Sequence, residues 1–158
     1  MTDKNFSKDI VEFLSLLYKH RVKYLIVGGE AVIYYGHPRL TGDIDIFYGL
    51  SAENVEYLWN CLQEFWEGNI PGLENASELT RKGVIVQFGL APNRIDLIND
   101  ISGVEFDDAW ESAVCEEMER EEGKIRVNYI HLKHLVQNKK AAGRNKDLDD
   151  LNYLKKLL

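Results

Sequence analysis

The sequence predicts an α/β protein of the α+β kind: a mixed sheet of four to five strands, helices covering one side of it, and a helical tail. Three observations predict it. Apolar runs of strand length, Tyr24-Leu25-Ile26-Val27 first among them, are bounded by glycine or polar turns. Longer segments repeat apolar residues at helical spacing. Two strand-like runs flank the turn-like link Gly89-Leu90-Ala91-Pro92-Asn93, so a hairpin enters the sheet.

The elements follow in order. Ile10, Phe13, Leu14, Leu17 and Tyr18 form a helical stripe with Ser7 as N-cap. Tyr24 to Val27 is a buried strand running into the tight turn Gly28-Gly29. Glu30 to Tyr35 is a short helix stopped by Gly36 and Pro38. Asp43 to Tyr48 alternates polar and apolar residues, the pattern of a half-buried strand. Ser51 caps a helix whose stripe is Val55, Leu58, Trp59, Leu62, Phe65 and Trp66, which makes both tryptophans core residues. Gly68 to Gly83 is long for a bare loop and is expected to hide a short helix. Val84 to Phe88 and Arg94 to Ile98 are the hairpin strands. Val104 to Val114 reads as a helix and Lys124 to Tyr129 as the last strand. Two helices follow, over about His131 to Ala142 and Lys146 to Leu158, broken at Gly143, with Asn145 capping the second.

A length of 158 residues fits one domain, with its core over about 22–130 and a helical tail over about 131–158. Apolar residues make up 45% and charged residues 28%, a balance that supports a packed core and excludes wholesale disorder. No apolar run reaches the roughly 18 residues of a membrane span, and Met1 to Ile10 is too polar for a signal peptide, so the expected location is the cytoplasm. With 19 Lys+Arg against 26 Asp+Glu the net charge is −7, which disfavours general nucleic-acid binding, since that rests on neutralising phosphates. Cys61 and Cys115 are too few for a disulfide framework or a thiolate metal site, and both fall in helical patterns that suit packing. His20, His37, His131 and His134 form no ligand pattern and suit surface or capping positions.

The chemistry concentrates in Asp43-Ile44-Asp45-Ile46. Aspartate is disfavoured in strands, yet two stand here at i and i+2, on one face, with the isoleucines on the other. Two adjacent carboxylates repel, and a divalent cation with a preference for oxygen, Mg²⁺ or Mn²⁺, relieves the conflict. Asp96 has the same setting in Arg94-Ile95-Asp96-Leu97-Ile98. If the two strands lie side by side, three acids converge, a set suited to two metal ions. A solvated sheet face bearing exposed aspartates is the plainer alternative. Gly28-Gly29, between an apolar strand and a helix, is suited to an anion, because backbone amides there attract negative charge and glycine lets a phosphate come close. It is neither a dinucleotide fingerprint nor a Walker loop.

In combination these pieces are far more specific. A strand ending in a glycine pair, a spacer, Asp43-Ile44-Asp45, and Asp96 on a later strand resemble the nucleotidyltransferase superfamily with its DNA polymerase beta-like fold. Arg39-Leu40-Thr41-Gly42-Asp43-Ile44-Asp45 is similar to the small prokaryotic members. The stretch Lys140-Ala141-Ala142-Gly143-Arg144-Asn145-Lys146-Asp147-Leu148-Asp149-Asp150-Leu151 resembles the tail of the branch related to abortive-infection toxins. The resemblance implies that Gly28 and Gly29 hold a nucleoside triphosphate, that Asp43 and Asp45 bind both metals, and that Asp96 completes one metal site and helps deprotonate an acceptor hydroxyl. It places Arg39 and Thr41 near phosphate, although an exposed arginine or a loop-fixing threonine would look the same in the sequence. Lys139, Lys140, Arg144 and Lys146 make a local basic cluster that suits a triphosphate, with Lys140 and Arg144 inside the family-like run. The same cations, and Asp147, Asp149 and Asp150 after them, also suit the dipoles of the two helices they flank.

The expected function is therefore metal-dependent transfer of a nucleoside monophosphate from a nucleoside triphosphate to a hydroxyl on a small molecule, a protein or an RNA end. The alternatives are a non-catalytic nucleotide-binding protein and a toxin–antitoxin or phage-defence component working with a protein partner. With little room for a second domain, a homodimer interface is an expected place for the acceptor site.

Overall fold

In the computed structural model, which describes residues 6–158, helix α1 (Lys8–Lys19) leads into strand β1 (Tyr24–Val27). Residues 1–5, part of the polar start weighed above as a signal peptide, lie outside the described residues. Ser7 caps α1, its Oγ accepting from the Ile10 amide at 3.3 Å. Then come α2 (Gly28–Tyr34), β2 (Asp43–Tyr48), α3 (Ala52–Phe65), a 3₁₀ turn (Ala76–Thr80), β3 (Ile85–Phe88) and β4 (Arg94–Ile98). The chain continues through α4 (Phe106–Glu111), β5 (Val114–Arg120), β6 (Gly123–Tyr129), α5 (Leu132–Ala142) and α6 (Asn145–Lys155). Ser51 caps α3 as expected, whereas the cap of α6 is Arg144 rather than Asn145. The short helix expected between Gly68 and Gly83 is the 3₁₀ turn.

All six strands join one mixed sheet in the order β3-β4-β2-β1-β6-β5. The expectation of four to five strands missed β5, and the helix expected over 104–114 contracts to α4. The reason is physical: β5 is an edge strand whose only buried side chain is Met118, so its sequence carries almost no apolar signal. Cys115 accordingly stands exposed on β5, donating to Asn128 Oδ1 at 3.2 Å, while Cys61 is buried in α3. The expected hairpin of β3 and β4 is antiparallel and in register from Ile85↔Ile98 to Phe88↔Ile95.

Helices cover both faces of the sheet, not one. Alternate residues Tyr24, Ile26, Ile44, Ile46, Ile95 and Leu97 pack with α1 and α3, joined at their edge by Trp59 and Trp66. Leu25, Val27 and Phe47 pack on the opposite face with α2, α4, α5 and α6. Each large apolar side chain fully buried here, Phe13 or Leu58 for example, contributes about 1.5–3 kcal/mol relative to exposure. The second face is apolar only along part of its length. Towards the C-terminal end of β1 the same face bears Asp43, Asp45, Arg94 and Asp96, and α5 and α6 border it there. Among the described residues no helix is long and apolar enough to cross a membrane.

Candidate active site

Strand pairing brings the three aspartates together. β2 and β4 run parallel with Asp45 opposite Asp96 and Asp43 opposite Arg94. Neighbouring strands lie about 4.8 Å apart, so side chains facing the same way at partnered positions are in contact range. Asp43, Asp45 and Asp96 each offer an oxygen within 4.8 Å of the others. β1 pairs antiparallel with β2, Val27 opposite Asp45, and this sets the Gly28-Gly29 turn directly against the acids.

The glycines are required by space. Gly28 has φ +65°, and a Cβ there would lie 2.1 Å from Asp45 Oδ2. A Cβ on Gly29 would lie 2.9 Å from Thr41 Oγ1. Gly28→Ala is expected to lower stability, since the left-handed conformation alone costs an alanine about 1–2 kcal/mol, and to displace the Asp45 carboxylate. Thermal melting together with a Mn²⁺ titration checks this; a variant that melts and binds Mn²⁺ as the native chain does would refute it.

The acids strain against one another electrostatically. Burial, then the charges of Asp43 and Asp96, push the Asp45 carboxyl up to about 7. Burial also raises Asp96, against the pull of Arg94. Glu30, in the first turn of α2, rises to about 7 through burial and the Asp43 charge. Arg94 relieves part of the crowding: its Nη2 donates to Asp43 Oδ2 at 2.6 Å and its Nε to Asp96 Oδ1 at 2.9 Å. An all-oxygen donor set with excess negative charge, one member of which, Asp45, has no ion-pair partner among the described residues, suits Mg²⁺ or Mn²⁺.

Asp43, Asp45, Arg94 and Asp96 line a cleft of about 510 Å³ whose far wall is the tail. Thr41 Oγ1 sits 3.1 Å from both the Asp43 carbonyl and Asp43 Oδ1, which fixes the loop before β2. Arg39 reaches across to Asp150 of α6. Asp150 and Asp147 are buried and share Lys139, whose Nζ lies 3.2 Å from Asp150 Oδ2 and donates to Asp147 Oδ1 at 3.0 Å. Arg144 Nε donates to Asp147 Oδ2 at 2.6 Å. Burial raises the Asp147 carboxyl, but Arg144 and Lys139 outweigh it and hold it below the usual carboxylate range. His37 stands 3.6 Å from Asp149 and 4.0 Å from Asp150. It borders this ion-pair hub, where Arg39 and Lys139 share Asp150. His131 caps α5, accepting from the Lys133 amide at 3.0 Å.

Of the residues singled out by sequence, Gly28, Gly29, Arg39, Thr41, Asp43, Asp45, Asp96 and Arg144 all line this one cleft. Lys140 is exposed and is not among the lining residues; Lys139 occupies the position instead. Sequence reasoning passed over Arg94 and Gln87, whose Nε2 approaches Asp96 Oδ2 at 3.4 Å. Arg94 carried a usable signal, since it stands two residues before Asp96 and must share its face.

The glycine pair, Asp43-Ile44-Asp45 and Asp96, whose sequence pattern resembles the nucleotidyltransferase superfamily, thus meet in one cleft. Residues 6–158 match the family described as "nucleotidyl transferase of unknown function" (DUF2204), and the chain belongs to that family. No curated protein matches it.

Proposed function

We propose that the protein is an active, metal-dependent nucleotidyltransferase that uses a nucleoside triphosphate and an acceptor hydroxyl. The observation that carries this is the convergence of Asp43, Asp45 and Asp96 in a cleft shared with the Gly28-Gly29 turn and the cations of the tail. In this reading the three aspartates hold two Mg²⁺ or Mn²⁺ ions. When bound, the ions supply charge stabilisation to the attacking oxygen and to the phosphoryl group in transfer. The Gly28-Gly29 turn admits the triphosphate, and Thr41, Arg39, Arg144 and Lys139 surround it with donors. Lys140 adds only longer-range positive charge. The acceptor oxygen bonds to the α-phosphorus, its proton passes to Asp96, and pyrophosphate leaves with the electrons of the broken P–O bond. Positioning and preorganised charge contribute most of the rate.

The test is thermal stability with each of the four ribonucleoside triphosphates, with and without Mg²⁺ or Mn²⁺, beside the double variant Asp43→Asn/Asp45→Asn. A ligand at 100 times its Kd stabilises a folded protein by about 2.7 kcal/mol. A metal-dependent rise in Tm, absent in the double variant, is expected and identifies the base to use in a label-transfer assay. No rise with any nucleotide at millimolar concentration would overturn the proposal.

A further inference from the structure

Arg94 lies within the acid cluster, not on its rim. Besides its bonds to Asp43 Oδ2 and Asp96 Oδ1, its Nη2 lies 3.1 Å from Asp96 Oδ2. One guanidinium therefore takes an oxygen of Asp43 and both oxygens of Asp96, two of the three carboxylates that converge. The strand register holds it there, with Arg94 opposite Asp43 and two residues from Asp96 on the same face of β4. Its side chain is 35% exposed, on the side of the open cleft, so a solvated position is within reach when the fork opens. Three other cations of the cleft differ: Arg39, Lys139 and Arg144 are engaged by Asp147 and Asp150, while Lys146 also lines the cleft.

We propose that Arg94 is the built-in counter-cation of the acid cluster, holding Asp43 and Asp96 in place without metal and competing with divalent ions for the same oxygens. This rests on the reading of the three aspartates as metal ligands. Oxygen lone pairs given to a guanidinium are withdrawn from a divalent ion, and two positive charges a few ångströms apart repel. Arg94 thus lowers the affinity of the site for metal while sparing the metal-free chain the full repulsion of three carboxylates. It is a positioning residue, and its removal is expected to move those two properties in opposite directions.

The experiment uses Mn²⁺ alone, without nucleotide, titrated against the native chain, Arg94→Gln, Arg94→Lys and Asp45→Asn, with free Mn²⁺ read by electron paramagnetic resonance. Tm in EDTA is measured for each. Releasing charge-assisted bonds of ordinary strength corresponds to about tenfold in an equilibrium constant, so Arg94→Gln should bind Mn²⁺ about tenfold more tightly. Its Tm in EDTA should fall, and Arg94→Lys should lie between the two. A purely structural arginine would give weaker Mn²⁺ binding together with the lower Tm. Unchanged or weaker binding by folded Arg94→Gln, with native binding that Asp45→Asn abolishes, overturns the role of Arg94 and leaves the metal reading intact. Absence of Mn²⁺ binding in every chain overturns both.

Discussion

Asp45→Asn is expected to abolish transfer and at the same time to make the metal-free protein more stable at pH 8. The two effects have one cause. Asp45 is half-buried, faces Asp43 and Asp96, and lies under the Gly28 turn. Its carboxyl is raised from an ordinary 3.8 to about 7, so the fold prefers it protonated. A carboxyl raised in this way contributes stability that is whole below about pH 4 and is lost as pH climbs through about 7. The ceiling on that loss is about 4 kcal/mol. Glu30 adds a loss of the same sign over the same range. Asparagine keeps the shape and carries no charge, so the variant should gain at pH 8 in EDTA and gain nothing at pH 4. Urea unfolding at the two pH values measures this, and equal stability of variant and native chain at pH 8 would refute it. Turnover should fall by well over a hundredfold, because even groups behind the ligands of metal sites are worth roughly 10–100-fold.

Asp147→Ala should be the most destabilising single change in the tail. The Asp147 side chain is fully buried and accepts from Lys139, from the Arg144 guanidinium and from the Arg144 amide at 3.2 Å. Removing one partner of a buried ion pair costs about 3–5 kcal/mol, because the charge left behind stays buried and unmatched. Lys139, whose side chain is 4% exposed, is that charge, though Asp150 still holds part of it. Adding Lys139→Met to Asp147→Ala should therefore recover part of the loss. A double variant less stable than the single would count against the hub. The pH dependence has the opposite sign to that of Asp45: a lowered carboxyl contributes stability above its ordinary value that is lost as pH falls through the folded one. Together these two carboxyls favour the acid side of neutrality, between the two transitions.

Local patterns revealed the elements that local patterns determine. β1, β2 and β4 were legible because their inner faces are continuous or alternating apolar runs, and the caps Ser7 and Ser51 because side-chain capping acts over three residues. The period of two put Asp43 and Asp45 on one face of β2. That Asp96 stands opposite Asp45 could not be read, since it depends on a parallel pairing across fifty residues that no local signal encodes. β5 was hidden by its exposure. The choice between Lys139 and Lys140 was open to a closer reading: Leu135, Val136 and Lys139 fall at three- and four-residue spacing and form the buried face of α5, with Lys140 outside it.

The Arg39–Asp150 contact spans 111 residues of chain. Chains are made from the N-terminus, and a domain generally folds as a unit. The three acids are therefore synthesised well before Lys139, Arg144 and Asp150, which complete the opposite wall. A chain halted before residue 150 lacks the carboxylate that Arg39 and Lys139 share. The Arg39–Asp150 contact therefore reports that α6 has been made and docked.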